Sequence, residues 1–256
     1  MRRRFWLFLV GAWLLAACAP STPAPPTPSP TPTVAPVVAA VSPDLEPAVL
    51  ALRSCADTLG VPLAILTTPQ SADRPSTANL RLWWGEVPPH TTATAYALAS
   101  EHLVAVVSAE NPAHPTEEAL RRAVMGQVTS WEALQSPLSA PIALWLPLPD
   151  SSAGQRLQAW LGFAPRRGDA SLAPDPRAML QSVGSDQAAL GFVPAGWLVT
   201  APEAQQVRAL DLAVPAWSAP LLALLTPHAP PSAQAMVGCL QQGPGHDLLQ
   251  QIYPAP

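Results

Sequence analysis

Short apolar runs alternate along the chain with segments of helical periodicity. Runs rich in branched apolar residues predict strands at 37–41, 63–66, 79–83, 103–107, 142–146, 190–193 and 220–225. Apolar stripes predict helices at about 43–59, 117–125, 153–161 and 175–184, and Ser232–Leu240 leads into a terminal helix. Strands that alternate with helices indicate an α/β fold with mainly parallel sheets.

The predicted helix ends carry recognisable signals. Ser42-Pro43-Asp44 supplies an N-cap, a proline at the first helical position and an acid in the first turn, and Gly60 ends that helix. Thr116 is the expected N-cap of the helix at about 117–125, which Gly126 closes.

The N-terminus has the layout of a secretory signal. Arg2-Arg3-Arg4 precedes the apolar run Phe5–Leu15, and Leu15-Ala16-Ala17-Cys18 follows. This tetrapeptide resembles the bacterial lipobox, which implies that residues 1–17 are removed and that the Cys18 thiol carries a lipid. An uncleaved anchor is the alternative. In either case the protein is expected outside the cytoplasm and anchored to the bacterial cell membrane.

Residues 18–37 are predicted to hold the lipidated cysteine and a spacer. Residues 19–36 are almost entirely Pro, Thr, Ser and Ala, a composition that builds no core and favours polyproline II. At about 3.1 Å per residue the spacer extends up to roughly 55 Å. A Pro-rich ligand for a recognition domain is the other interpretation of this segment.

Charge and motif content exclude several function classes. The net charge is −4 and all 13 cations are arginine, so there is no basic footprint for nucleic acid and no lysine for Schiff-base chemistry. The five histidines are scattered without metal-ligand spacing, and P-loop, Gly-x-Ser-x-Gly and Gly-x-Gly-x-x-Gly motifs are absent from the sequence. We therefore expect no enzyme, no metal and no cofactor.

Residues 103–134 carry a distinctive order of motifs. An apolar strand leads to Asn111-Pro112, a Thr-x-Glu-x-Leu-Arg helix follows, and a Gly-x-x-Thr-x-Trp turn completes the stretch. This order resembles the phosphate-binding-protein-like family of extracytoplasmic solute-binding proteins. Further matches are the serine-containing helix start Asp150–Gly154, the segment Ala188–Pro194 and the strand Pro220–Leu225. The matching residues of the first stretch are Asn111, Pro112, Thr116, Glu118, Leu120, Arg121, Gly126, Thr129 and Trp131.

The resemblance implies a two-lobed periplasmic-binding-protein type II fold. Each lobe would be a mainly parallel sheet flanked by helices, and two crossing strands would join them. Residues 38–105 plus 221–256 would form lobe 1, and residues 106–220 would form lobe 2. A monomer would capture a small oxyanion-like or organic ligand in the cleft, with ABC permease subunits as partners.

Ligand residues follow from the resemblance only in part. Oxyanion binders of this family place Ser-Gly-Thr at a helix N-terminus, where amides and the helix dipole attract an anion. Ser151, Ser152 and Gly154 would occupy that place, although the threonine and a preceding arginine are missing. A plain helix cap is the alternative for the serines. Ser42, at another helix start that faces the cleft in the family fold, has the same two interpretations.

Two residues in or directly after the third predicted strand are further candidates. Trp84 would wall a ligand pocket, or would be a core residue, because consecutive side chains of a strand alternate faces. Arg81 would replace the missing cation in the cleft, or would pair with a structural carboxylate such as Glu86.

The family fold also places Cys55 and Cys239 on the same lobe. With Cys18 lipidated, these two cysteines remain for a disulfide in an oxidising compartment. Two separately buried thiols are the alternative.

A second function is consistent with the weakened ligand motif. The chain would then be a ligand-degenerate lipoprotein of the same fold that acts as a sensor or an envelope interaction module.

Overall fold

The computed structural model describes residues 35–70, 77–163, 165 and 168–253. Cys18, the signal segment and most of the spacer lie outside the described residues. Within the described part the chain forms nine strands: β1 Val37–Val41, β2 Leu63–Thr67, β3 Leu80–Trp84, β4 Thr94–Ser108, β5 Ala143–Pro147, β6 Ser171–Ala173, β7 Ala189–Pro194, β8 Val207–Ala209 and β9 Ser218–Leu225.

Helices fill most of the connections between these strands. The α-helices are α1 Val49–Leu59, α2 Glu117–Val124, α3 Ser152–Leu161, α4 Pro176–Gly184, α5 Ala195–Thr200, α6 Pro231–Gln242 and α7 Pro244–Ile252. Short 3₁₀ helices lie at Pro43–Ala48, Glu132–Leu134, Pro202–Gln206 and Pro215–Trp217.

The strands run in the order β2-β1-β3-β9-β4-β7-β5-β6, and β8 pairs with β4. Pairing is parallel for β2-β1-β3 and for β7-β5-β6, as the predicted α/β fold requires. It is antiparallel wherever β4 or β9 takes part, so the curled sheet is mixed. We call β1, β2, β3, β9 and the first half of β4 the first sheet, and the second half of β4 with β5–β8 the second sheet.

β4 connects the two sheets because it is fifteen residues long. Thr94–His102 pairs with β9, and Leu103–Val107 pairs with β7. The chain returns from the second sheet to the first through the segment between β8 and β9. Two connections therefore join the sheets.

The predicted strand Leu103–Val107 is buried on both faces. Leu103, Ala105 and Val107 belong to the main hydrophobic core, and Val104 and Val106 belong to a second core cluster. Side chains alternate along a strand, so burial on both faces demands a continuous apolar run. The preceding half of β4, Thr94–His102, was missed by the sequence analysis, as were β6, α5 and β8.

The first helix departs from its prediction at its start. Residues Pro43–Ala48 form a 3₁₀ helix, and the α-helix begins only at Val49. Pro47 lies inside this segment, and a proline there has no N–H and its ring collides with the carbonyl four residues earlier. The helix ends at Gly60 as predicted, with a left-handed backbone (φ 63°).

The disulfide between Cys55 and Cys239 is present, with 5.8 Å between the two Cα atoms. It joins α1 to α6, so the prediction is confirmed. α6 is the penultimate helix, because the chain turns at Gly243 and α7 follows. Gly245 of α7 packs directly against the Cys55 sulfur, where a side chain would collide.

Candidate functional site

The candidate site lies where the segment after β1 meets the start of α3. Asp44, in the 3₁₀ helix that follows β1, is only 3% exposed. Its Oδ2 accepts a hydrogen bond of 3.0 Å from the backbone N–H of Ala153. An acid from the first sheet thereby binds the N-terminus of a helix from the second sheet, the end at which the helix dipole favours negative charge.

The Asp44 carboxyl is held by amides. Burial raises its pKa, and contacts with the Ala153 amide, the Ser152 amide and the Ser152 hydroxyl act in the opposite direction. The Ser152 hydroxyl lies against the carboxyl but makes no hydrogen bond of good geometry.

Ser42 and Ser152 both lie at this junction. Ser42 is 4% exposed, and Ser152 is 1% exposed. Neither hydroxyl has a hydrogen-bond partner of good geometry among the described residues, although buried polar groups are normally paired. Ser42 takes the N-cap position, but its side chain makes no cap hydrogen bond.

Ser151 and Gly154 serve the start of α3 itself. Ser151 is the N-cap, and its Oγ accepts from the Gly154 N–H at 3.0 Å. A Cβ at Gly154 would collide with the carbonyl oxygen of Leu148 and lie 3.0 Å from the Cα of Pro149. The helix-cap alternative therefore describes Ser151, and close backbone packing accounts for the glycine.

A cavity of about 10 Å³ lies beside this junction, about enough for one water molecule. The described residues that line it include two acids and no arginine: Asp44, Pro147, Leu148, Ser151, Ala153, Ala173, Pro174, Asp175, Pro176, Met179 and Phe192.

Trp84 and Arg81 do not line this cavity. Trp84 is 1% exposed, its Nε1 donates to the Glu101 carbonyl at 3.1 Å, and its backbone exchanges two hydrogen bonds with the Gln70 side chain. It is a core residue, the second interpretation that the sequence left open. Arg81 is half-buried on β3, on the face opposite Leu82 and Trp84.

Other side chains make the contacts between the two sheets. The Trp197 Nε1 donates to the backbone oxygens of Pro43 and Asp44, at 3.2 Å each. The Arg156 guanidinium of α3 lies against Gly85, just after β3. Neither residue was singled out from the sequence.

A second buried acid, Glu101, lies on β4 where that strand passes between the sheets. Its Oε1 accepts from the N–H groups of His102 (2.7 Å) and Ala195 (3.1 Å), and its Oε2 accepts from that of Gly196 (3.3 Å). The pKa of Glu101 is raised to about 8. Burial is the largest cause, these hydrogen bonds act in the opposite direction, and the nearby Asp44 adds to the rise.

Tyr253 packs beside Glu101. A Cβ at Gly196 would lie 2.5 Å from the Tyr253 ring and 3.1 Å from the Glu101 Oε2, so the three groups are in close contact. The pKa of Tyr253 is raised by burial and then by the Glu101 charge.

Sequence reasoning missed both acids as site residues. Asp44 was noted only as a first-turn acid, and its partner amide lies 109 residues further along the chain. Glu101 lies in the half of β4 that was not predicted. An acid within an otherwise apolar segment was the only signal available for Glu101, and it is a weak one.

The described residues contain neither a cluster of metal-ligating side chains nor a membrane-spanning helix. No group of three or more His, Cys, Asp and Glu side chains lies together as a metal site requires. No helix in this part of the chain is long and apolar enough to cross a bilayer.

No protein-family model matches the sequence, and no curated protein matches it. Solved structures do match the fold. A putative phosphate ABC transporter substrate-binding protein from Clostridium perfringens, with bound phosphate, superimposes with a TM-score of 0.74 at 15% identity, over 86% of this chain and 98% of that one. An ABC-type phosphate transport receptor from Vibrio cholerae gives 0.66 at 17% identity, over 86% and 100%.

Regulatory domains share the same fold. A sulfate-bound mutant OxyR2 regulatory domain from Vibrio vulnificus gives a TM-score of 0.60 at 10% identity, over 84% of this chain and 97% of that one. At these identities the likeness concerns the fold alone. The chain has the phosphate-binding-protein-like α/β fold that its motif order indicated.

Proposed function

We propose that this chain is an extracytoplasmic solute-binding protein that is tethered to the bacterial membrane through a lipidated Cys18. It captures a small solute between two lobes and presents it to the permease of an ABC importer. The observation that carries this proposal is the junction at Asp44 and Ala153, where groups from both sheets meet around one cavity. The fold of the phosphate receptors supports it.

The lobes of this proposal are residues 38–105 with 221–256, and residues 106–220. What supports this division is the pairing of β4, which changes partner between His102 and Leu103. Opening requires contacts between the two lobes to break, including those of Arg156 with Gly85 and of Tyr253 with Gly196. The hydrogen bonds from Trp197 to the Pro43 and Asp44 carbonyls and the one from Ala153 to Asp44 would break.

The solute we propose is a small molecule other than phosphate. The described lining of the cavity contains Asp44 and Asp175 and no arginine. An oxyanion would therefore meet carboxylates, without the paired charge-assisted hydrogen bonds that an arginine donates. An organic solute with hydrogen-bond donors suits such a lining better, because carboxylates accept hydrogen bonds.

One observation favours a second candidate function. The cavity is only about 10 Å³, which is far smaller than the pockets of about 300 Å³ or more that small-molecule sites usually provide. A ligand-degenerate protein that acts as a sensor or an envelope interaction module has no need of a larger cavity. The regulatory domain with the same fold is consistent with such a role.

Native mass spectrometry of the detergent-solubilised full-length protein separates the two functions. Solute capture predicts a co-purifying small molecule that is released on denaturation, and a permease and an ATPase encoded beside the gene. The same sample under denaturing conditions is the control, since it reports the mass of the chain and its lipid. A bare protein that no solute in a broad screen stabilises against heat would favour the second function.

A further inference from the structure

The start of α3 is already occupied by the carboxyl group of a side chain, that of Asp44. α3 is ten residues long, and the free N–H groups of its first turn form the kind of end that binds anions. The Gly154 N–H donates to the Oγ of the N-cap residue Ser151, and the Ala153 N–H donates to the Asp44 Oδ2. Asp44 follows β1 of the first sheet, whereas α3 belongs to the second sheet. Their contact therefore exists only when the two sheets are close together.

We infer that Asp44 is a built-in substitute for an anionic ligand: its carboxyl group fills the oxyanion position at the start of α3 and makes the cleft reject oxyanions. This inference deepens the proposed function, on which it rests, by naming the residue that sets solute specificity.

Two features of the surroundings support the assignment. The Ser152 hydroxyl is buried against the Asp44 carboxyl, and the Ser42 hydroxyl is buried two residues before Asp44 in the chain. Neither makes a well-formed hydrogen bond within the described part of the chain. A ligand with several acceptor oxygens would pair with both the amides and these hydroxyls. A single carboxyl group has fewer oxygens, so it pairs with the amide and leaves the hydroxyls unpaired. A carboxyl offers two oxygens, whereas a tetrahedral oxyanion offers four.

Charge supports the assignment as well. No arginine is among the described residues that line the cavity, and the groups that the structure places against the Asp44 carboxyl are the amides of Ser152 and Ala153 and the Ser152 hydroxyl, none of them a cation. An oxyanion that approached the same amides would have to displace Asp44 or lie beside its charge. Like charges at that separation repel, and burial of a second anion without a cation is costly.

The test exchanges Asp44 for serine in the full-length protein. Asp44→Ser removes the charge, frees the Ala153 N–H and leaves a hydroxyl-bearing side chain at each of positions 42, 44 and 152. Isothermal titration calorimetry with inorganic phosphate, and separately with sulfate, measures the gain. We expect Asp44→Ser to bind at least one of the two about tenfold or more tightly than the wild type, because a free helix N-terminus replaces an occupied one.

Asp57→Ser is the matched control. Asp57 is an exposed acid near the far end of α1, so this variant makes the same change in side chain and net charge away from α3. It should bind phosphate and sulfate no better than the wild type. An equal gain in both variants would overturn the assignment, because net charge alone would then explain it.

A folded Asp44→Ser protein without any gain in anion binding would also overturn the assignment. The proposed capture of another solute by the wild type would remain standing, since native mass spectrometry tests it independently. If Asp44→Ser does not fold, hydrogen exchange of the wild type decides the question. The Ala153 amide should be strongly protected, and exchange at the rate of an unstructured peptide would contradict its bond to Asp44.

Discussion

At the scale of single residues, the two buried acids share an unusual feature: backbone amides, and not cations, face their carboxyl groups. Asp44 and Glu101 are both almost completely buried, and backbone N–H groups are their hydrogen-bond donors. Hydrogen bonds from amides favour the charged form less than a guanidinium would, so desolvation dominates and the pKa values of both groups rise. Proton binding is therefore linked to folding at both positions.

Glu101 should make stability depend on pH. Its carboxyl titrates near 4.5 when solvated and at about 8 in the folded protein, so between these values the native state holds one more proton than the unfolded state. The free energy of unfolding should therefore fall as pH rises from about 5 to about 8, by up to about 1.4 kcal/mol per pH unit, and level off above that range.

Urea unfolding of the wild type and of Glu101→Gln at about pH 5, 6.5 and 8 measures this contribution. The glutamine stays neutral, so the stability difference between wild type and variant should shrink or reverse with rising pH. Asp57→Asn, at an exposed position, is the control and should keep the wild-type slope. Parallel pH dependence of wild type and Glu101→Gln would contradict a Glu101 pKa near 8.

Two helical glycines should respond in opposite ways to alanine. At Gly154 the new Cβ would collide with the backbone of Leu148 and lie 3.0 Å from the Pro149 Cα, and backbone cannot move aside easily. We expect Gly154→Ala to lower the free energy of unfolding by about 1–3 kcal/mol.

Gly238, inside α6, is the matched comparison, because nothing lies within 4 Å of a Cβ placed there. Gly238→Ala should raise stability by about 0.4–1 kcal/mol through the smaller entropy of the unfolded chain. Thermal and urea unfolding measure both variants. Destabilisation of equal size at the two positions would show that close packing is not the reason for the glycine at 154.

At the scale of elements, the disulfide ties α1 to α6 across 184 residues of sequence. Loop-closure entropy gives about 5 kcal/mol for a loop of this length, at the upper end of what disulfides contribute. We expect the double variant Cys55→Ala, Cys239→Ala to lose about 2–5 kcal/mol of stability. Urea unfolding with and without dithiothreitol is the measurement.

The reductant supplies the control for this prediction. It should destabilise the wild type by about as much as the double substitution does, and it should leave the double variant unchanged. A reductant effect on the double variant, or none on the unfolding of the wild type, would argue against the link between α1 and α6.

At the scale of the whole molecule, the spacer and the folded part have separate tasks. We propose that the folded part carries the solute site, and we predict that Cys18 fixes the chain to the membrane. Cys18→Ser should release the protein into the soluble fraction or leave the signal segment uncleaved, because no thiol remains to carry the lipid. Membrane fractionation and intact-mass measurement check this.

Ser21→Ala, three residues further along, is the matched control. It should leave membrane retention and cleavage of the signal segment unchanged. Normal cleavage together with full membrane retention of Cys18→Ser would rule out lipidation at this residue.

The sequence by itself determined the elements whose signals are local. The continuous apolar run at 103–107 indicated a buried strand, Gly60 marked the end of α1, and Thr116 marked the start of α2. The motif order from Asn111 to Trp131, together with the later matches up to Leu225, carried the family resemblance that implied the fold. Each of these signals depends on residues close together along the chain, so each is readable without coordinates.

Only the tertiary structure decided which groups meet where the two sheets join. A serine that caps a helix and one that binds a ligand look alike in sequence, and the hydrogen bond from Gly154 N–H identified Ser151 as a cap. In sequence, Asp44 looks like an ordinary first-turn acid. The fold gives it another role, because it brings Ala153 at the start of α3, 109 residues further along the chain, into contact with its carboxyl. Burial and hydrogen bonding of a charge depend on atoms that distant segments supply, and no local pattern specifies them.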